Sequence, residues 1–319
     1  MKYHFKSLFA NDITAYIKLR VSLGNEEDTY ARRLHSFDAL CVEKYPQEAI
    51  LSMEIAKSWC TKKPNEQSNT LQLRTNILRG FSKYLVSIGK NAFIIPDGFA
   101  GNSVQFIPYL YNDIELSGFF VGADQLPAHP LSPFREYVVP VMFRVLYCCG
   151  LRPQEVRHLK LSDTNLDVGT FYISDSKRNK DRIVAMSQEL RDLCIKYDTY
   201  MQEKIPSREY FFQNPNGGPY RMAWIQQQFF KCWKKAGISF TKDRKPRVTD
   251  WRHNFATHVI VRWMNEQKDV MNLLPYLSTY MGHSSLEYTA YYIHLVPGHL
   301  KYSTLTDWNC SQEVPDYED

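Results

Sequence analysis

The sequence predicts a mainly α protein with a small antiparallel β component (an α+β fold), divided into two domains. Three features predict it. Apolar residues recur at helical spacing through residues 1–90. Residues 91–109 are rich in Gly, Pro and Asn, with Pro96, Gly98, Gly101 and Pro108, and read as a linker. Beyond them, the β-rich segments Thr170 to Ser176 and Arg182 to Ser187 flank a polar turn, the pattern of a β-hairpin. The domains are therefore 1–90, helical, and 110–319, helical with a hairpin. At 319 residues the chain is long enough for two domains with a well-buried core.

Ile13, Tyr16, Ile17, Leu19 and Val21 outline a first amphipathic helix ending near Gly24. Tyr30 to Tyr45 and Ile50 to Cys60 suggest a second and a third. Leu71, Leu73, Ile77, Leu78, Phe81, Tyr84 and Leu85 carry a fourth, from Leu71 to Ile88. Asn112-Asp113-Ile114-Glu115 is a helix-start signature. A loop with three prolines, Asp124 to Pro133, precedes an apolar helix ended by Gly150, and a helix over 152–159 follows. The hairpin places Lys177 at its tip. Asn214 to Pro219 is a turn, and 220–236 is a basic, aromatic helix. Near the end, Gly282 suits the left-handed close of one helix, and Ser284-x-x-Glu287 reads as a capping box opening the next. His283 is then held in the turn, with Tyr292 about two helical turns further on. A histidine near a tyrosine in such a joint is also common in plain cores.

The net charge is +5, with pI near 8.7, a mild pointer to a polyanionic partner. Its distribution says more: one basic cluster is Lys177-Arg178-Asn179-Lys180-Asp181-Arg182, and a second runs through Lys231, Lys234, Lys235, Lys242, Arg244, Lys245 and Arg247. By themselves, such clusters are equally consistent with solvated faces. The seven cysteines form no Cys-x-x-Cys pair, as expected of free thiols in a reducing compartment rather than disulfides or a zinc site. The amino terminus lacks a hydrophobic signal core, and the longest apolar run, Val138 to Cys149, contains Pro140 and Arg144 and is too short for a bilayer. A soluble cytoplasmic protein without membrane association is expected.

Three segments stand in order: Gly150-Leu151-Arg152-Pro153-Gln154-Glu155, Asp250-Trp251-Arg252-His253-Asn254-Phe255-Ala256-Thr257, and Tyr280-Met281-Gly282-His283-Ser284 with Tyr292 nine residues after His283. In this order, over roughly residues 108–296, they resemble the tyrosine recombinases, or phage integrase family. That family carries GLRxxE, a lysine in a β-turn, an HxLRHxxAT-like segment, LGHxS and a tyrosine. The resemblance implies an N-terminal helical core-binding domain and a mostly helical catalytic domain with a small antiparallel sheet, closing around double-stranded DNA. It places Arg152, Lys177, Arg252, His283 and Tyr292 in catalytic roles, with Glu155, Thr249 and His253 in support.

In the implied reaction Tyr292 attacks a phosphorus, leaving a 3′-phosphotyrosine and a free 5′-hydroxyl. Arg152 and Arg252 neutralise the non-bridging oxygens; a guanidinium stays charged and donates paired hydrogen bonds. His283 donates to the phosphate, and Lys177, with Lys180 as the alternative, protonates the leaving oxygen. The bond energy stored in the phosphotyrosine removes the need for ATP, a metal or another cofactor. The chain agrees in having no GxxxxGK[ST] loop and no recognisable carboxylate metal triad. One residue departs from the pattern: Thr249 stands where the family has His or Lys, which leaves the proton acceptor of Tyr292 open between His253, another group and water.

With that resemblance, Arg178, Lys180, Arg182, Arg221, Trp224, Gln227, Lys231, Lys242, Arg244, Lys245 and Arg247 become candidate DNA contacts, and helix 220–236 a candidate groove reader. It also implies a synaptic tetramer on two DNA sites, accessory DNA-bending or partner recombinase proteins, and a bacterial or phage setting. The tail, with Leu300, Tyr302, Leu305 and Trp308, packs on a neighbour or folds back in cis. The alternatives are a DNA-binding protein of the same fold with impaired catalysis, prompted by Thr249, and a topoisomerase or telomere resolvase using the same chemistry.

Overall fold

The computed structural model describes residues 3–101, 107–174, 181–238 and 245–296. The chain separates into two compact units, Met1–Ile107 and Pro108–Asp319.

The first unit holds α1 (Ala10–Ser22), α2 (Glu27–Lys44), α3 (Met53–Cys60) and α4 (Ser68–Ser87), the four helices expected. Gly24 follows α1 at φ 79°, a conformation that costs glycine little. Phe9, Ile13, Phe37, Leu78 and Phe81 are buried in one core, where Phe37 meets Trp59 edge-on at 5.5 Å. The buried Asp38 accepts hydrogen bonds from the backbone N–H of Lys6 and Ser7 at 2.8 and 2.9 Å, anchoring the chain ahead of α1. The first part of the expected linker belongs to this unit. Phe93 N–H donates to Leu51 O at 2.7 Å, Ile95 is buried, and Arg79 donates to the carbonyls of Ile95 and Pro96. Its prolines and glycines shape a packed return of the chain along α4. The other end, from Pro108, lies in the second unit, where Tyr109 is in the core.

The second unit contains α5 (Asp113–Asp124), α6 (Arg135–Cys149), α7 (Pro153–Arg157), β1 (Thr164–Asn165), β2 (Thr170–Ile173), β3 (Arg182–Ala185), α8 (Gln188–Lys204), α9 (Met222–Lys235), α10 (Asp250–Asn265), α11 (Val270–Met281) and α12 (Glu287–Ala290). The predicted capping box of α5 is present: Asn112 Oδ1 accepts from Glu115 N–H, and the Glu115 carboxylate accepts from Asn112 N–H. Apolar α6 is central, packing on α5, α8 and α10. On α10, Trp251 is fully buried and stacks on Tyr111 at 4.4 Å. One turn on, buried Asn254 accepts from Tyr111 N–H and donates to Tyr109 O and Asp250 O. This amide satisfies three backbone groups that burial would otherwise leave unpaired.

The strands form one antiparallel sheet in the order β1-β2-β3, with Ile173 opposite Arg182 and Phe171 opposite Val184. Among the described residues the sheet therefore has one strand more than the expected hairpin. Helix α8 was not expected either. Ser187, read as the end of a strand, caps it by accepting from Leu190 N–H, and Leu190, Cys194, Tyr197 and Met201 form its buried stripe.

Candidate active site

Gly150 and Gly282 close the helices that frame the site. Gly150 ends α6 at φ 59°, and a Cβ there would lie 2.4 Å from the Phe255 ring. Gly282 ends α11 at φ 63°, as the sequence predicts. The predicted capping box after it does not form. Helix α12 begins at Glu287 after Leu286, which already has helical dihedrals, and it is Ser285 Oγ, not Ser284, that accepts from Glu287 N–H at 3.3 Å. It lasts only to Ala290, so Tyr292 lies just beyond a short helix rather than two turns along a regular one.

The last turn of α11 leaves carbonyls without intrahelical partners, carrying the negative end of the helix dipole. Three arginines from three other elements satisfy three in succession. Arg182 Nε, on β3, donates to Tyr280 O at 2.7 Å; Arg252 Nη2, on α10, donates to Met281 O; Arg152 Nη2, before α7, donates to Gly282 O at 2.9 Å. Arg252 also donates to Gly150 O at 2.8 Å. Behind them Glu155 is the shared anion. It accepts from Arg152 N–H at 2.8 Å and from its Nη1 at 2.6 Å, and from Arg182 Nη1 and Nη2 at 3.0 and 2.8 Å. Burial works to raise the Glu155 pKa, but the hydrogen bonds and charge of Arg182, with those of Arg152, hold it below the usual value.

Three guanidiniums around one carboxylate leave an excess positive charge facing the cleft. Burial, then the neighbouring Arg152, lowers the Arg252 pKa to about 10, still leaving it charged at neutral pH. Burial and then the charges of Arg252 and Arg152 depress His283 to about 3, so its imidazole is neutral. His283 Nδ1 lies 2.8 Å from Thr289 Oγ1, and its ring is 6.0 Å from that of Tyr292, nearly parallel. The His253 ring lies 5.6 Å from Tyr292, and burial, with Arg247 and Arg252, lowers its pKa to about 4. Burial raises the pKa of Tyr292, opposed by Arg252 and Arg152.

Arg152, Thr249, Arg252, His253, His283 and Tyr292 line one cleft of about 540 Å³, with Tyr288 and Tyr291 at its wall. The structure thus brings six of the expected residues to one place and sets Glu155 behind them. Lys177, with Arg178 and Lys180, lies outside the described residues, as do Lys242, Arg244 and the tail from 297. Among the DNA-contact candidates, Arg221, Gln227, Lys231 and Lys245 are exposed. Arg247 is exposed and pairs with Asp250. Trp224 is half-buried, stacked on Tyr220 at 3.9 Å and donating to Ser132 Oγ. Arg182 requires a correction. It is 8% exposed and committed to Glu155 and Tyr280 O, since strand alternation turns it inward beside Val184 while Ile183 faces out. It is a brace of the site, not a surface cation. That alternation was the signal in the sequence; the basic run around it concealed the signal.

A helical unit with a small antiparallel sheet, holding an arginine pair, a histidine and a tyrosine about one cleft, has the architecture of a tyrosine recombinase catalytic domain. A family model described as the phage integrase family matches residues 132–299, more than half of the chain. The chain belongs to that family, the tyrosine recombinases, whose members break and rejoin DNA. It is 28% identical over 294 residues to the y4rB protein of Sinorhizobium fredii, which carries an integrase/recombinase designation; the match covers 90% of this chain and 93% of that one. Among solved structures it resembles the XerH site-specific recombinase bound to a palindromic difH substrate after cleavage, with TM-score 0.66 and 19% identity over 86% of this chain and 78% of that one. It also resembles a lambda integrase tetramer bound to a Holliday junction, with TM-score 0.57 and 14% identity over 86% and 77% of the two chains.

Proposed function

We propose that this protein is a site-specific recombinase that cleaves and rejoins duplex DNA through a 3′-phosphotyrosine at Tyr292. The observation that carries this reading is the convergence of Arg152, Arg252, His283 and Tyr292 on one cleft, with both guanidiniums fixed by backbone carbonyls. Tyr292 Oη attacks the scissile phosphorus. The Tyr–O–P bond forms as the P–O5′ bond breaks; the phenolic proton passes to an acceptor, and the departing 5′-oxygen takes a proton, a role suited to Lys177. Attack by a 5′-hydroxyl from another strand reverses the step. Arg152 and Arg252 stabilise the charge that builds on the non-bridging oxygens, and donors already in place need no reorganisation as it develops. Neutral His283 still carries one N–H: with Nδ1 accepting from Thr289 Oγ1, its Nε2–H is the donor for an incoming phosphate. His253, whose ring lies 5.6 Å from that of Tyr292, is the nearest imidazole on that side of the tyrosine, but its low basicity leaves the acceptor role open to water as well.

The first unit then serves as the core-binding domain, and Arg221, just before α9, with Gln227 and Lys231 on the exposed face of α9, contact DNA, where phosphate contacts set position. Exchange between two duplexes calls for a tetramer of this chain on two sites, the state in which the lambda integrase relative was captured on a Holliday junction. Nicked duplexes tiled across the DNA flanking the gene test the chemistry on a denaturing gel. Wild type should form a metal-independent protein–DNA adduct that Tyr292→Phe abolishes. Binding without an adduct would instead favour a DNA-binding protein with impaired catalysis, with Thr249 as the first residue to restore to His.

A further inference from the structure

We propose that Arg182 is a positioning residue of the reaction, setting the Arg152 guanidinium through Glu155; this rests on the phosphotyrosine reading above. Arg182 is the side chain that joins the sheet, the acidic hub and the end of α11. Its Nη1 and Nη2 meet both Glu155 oxygens while Nε holds Tyr280 O, so three donors of one plane are committed in two directions. The Glu155 carboxylate, fixed in this way, presents Oε1 to Arg152 Nη1 and Oε2 to Arg152 N–H. The second hand of Arg152 then reaches Gly282 O, the carbonyl immediately before His283. Arg182 lines no part of the cleft, so it acts on the phosphate only through its neighbours. Gly282 belongs to the same arrangement: a Cβ there would lie 3.0 Å from Arg182 Nη1.

A lysine cannot reproduce this arrangement. It is a single point donor where the site uses a planar fork. Without Arg182 the Glu155 carboxylate keeps only its hydrogen bonds to Arg152, so the pair can shift together, and Arg152 loses its fixed aim at the phosphate while keeping its charge. A misplacement of about 1 Å caused by a substitution away from the chemistry can cost about 100-fold in rate.

The test uses the full-length protein and nicked duplexes tiled across the DNA flanking the gene, each made with a scissile phosphodiester or a scissile methylphosphonate. The methylphosphonate removes one charged non-bridging oxygen, and with it much of the demand on the arginine pair. Adduct formation is timed in single turnover for wild type, Arg182→Met, Arg182→Lys, Glu155→Gln and the Arg182→Met/Glu155→Gln double variant. On the phosphodiester, Arg182→Met and Arg182→Lys should each be slower by up to about 100-fold, and the double variant no slower than the worse single one. On the methylphosphonate the Arg182 defect should shrink severalfold, with DNA affinity unchanged on both. The ratio between substrates within one variant cancels any loss of folded protein. A full rate in Arg182→Lys, or an equal defect on both substrates, overturns the inference. If wild type forms no adduct on any duplex, the phosphotyrosine reading fails and the inference falls with it.

Discussion

Arg252 and Lys231 carry the same charge in the same unit, but their surroundings differ in every respect that matters to electrostatics. Arg252 is 7% exposed, holds two backbone carbonyls, and shares its cleft with a second guanidinium and two neutral histidines. Lys231 is exposed on α9, where the opposite face, with Phe229, Cys232 and Trp233, is packed into the core. Water and salt screen a charge like Lys231, whereas a buried charge of fixed direction is screened far less. The first kind adds affinity without requiring geometry; the second adds rate and depends on geometry almost entirely. The fold builds each separately: one from helix amphipathicity, the other from the ends of helices.

That contrast breaks most sharply at Arg252. Arg252→Ala should slow adduct formation by about 100–1,000-fold, the usual loss for a preorganised donor. DNA affinity should fall far less than the rate, and its salt slope by no more than about 0.9, the value for a single phosphate contact. Arg252→Lys should recover little, because the donors of an ammonium radiate from one nitrogen and do not reproduce the planar fork that places Nη1 on Gly150 O and Nη2 on Met281 O. Stopped reactions on the nicked duplexes give the rates, and gel-shift titrations at several salt concentrations give the affinity. A proportional loss in both would remove the distinction.

The helix ends come next. Gly150→Ala places a methyl 2.4 Å from the Phe255 ring at φ 59°. Left-handed strain and overpacking together should cost about 2–4 kcal/mol in denaturant unfolding. Gly217→Ala, at φ 85° with nothing within 4 Å of the added Cβ, should cost only about 1–2 kcal/mol. Equal losses would mean that close packing against α10 contributes nothing to the frame of the site.

The parts of this site that local chemistry dictates were legible in the sequence. Gly150 announced a helix end and Gly282 a left-handed one, Asn112 and Glu115 a capping box, and the order of Arg152, Arg252, His283 and Tyr292 the cleft itself. What failed were positions where one residue supports two readings. Ser284-x-x-Glu287 matches a cap by spacing, but Leu286 takes helical dihedrals and the helix starts later. Ser187 closes a β-rich segment and also caps α8. Arg182 sits in a basic run that suggests solvent, while β3 alternation turns it inward. The three-arginine cap of α11 was out of reach, because it joins residues about 30 to 130 positions apart through backbone carbonyls that no motif encodes.

On the exposed side, Arg221→Ala and Lys231→Ala should each weaken DNA binding modestly. Removing one phosphate-neutralising cation should reduce the slope of log affinity against log salt by about 0.9. Adduct formation at saturating DNA should stay within about twofold of wild type, since no chemistry passes through α9. A lowered saturating rate with an unchanged salt slope would place α9 with the clamp rather than with the phosphate contacts.

The mildest effect separates the two kinds of charge by pH. His283 and His253 are held near 3 and 4 in the folded protein, against about 6.5 in an unfolded chain. Between roughly pH 6.5 and 4 the unfolded chain binds protons that the native protein refuses, so stability must fall as pH drops through that window and level off above it. Glu155, held low, loses its contribution only further down. Asp250, pushed up by burial, acts in the opposite sense to the two histidines, and His258, also lowered by burial, in the same sense. Each variant's slope is therefore read against wild type between pH 5 and 7. His283→Gln should remove up to about one proton from the uptake on unfolding and flatten that slope, whereas Lys231→Ala should leave it as in wild type. Slopes are compared rather than absolute stabilities, so a destabilised variant still answers. An unaltered slope in His283→Gln would mean that the imidazole protonates freely in the native cleft, and the electrostatic contrast between clamp and surface would lose its basis there.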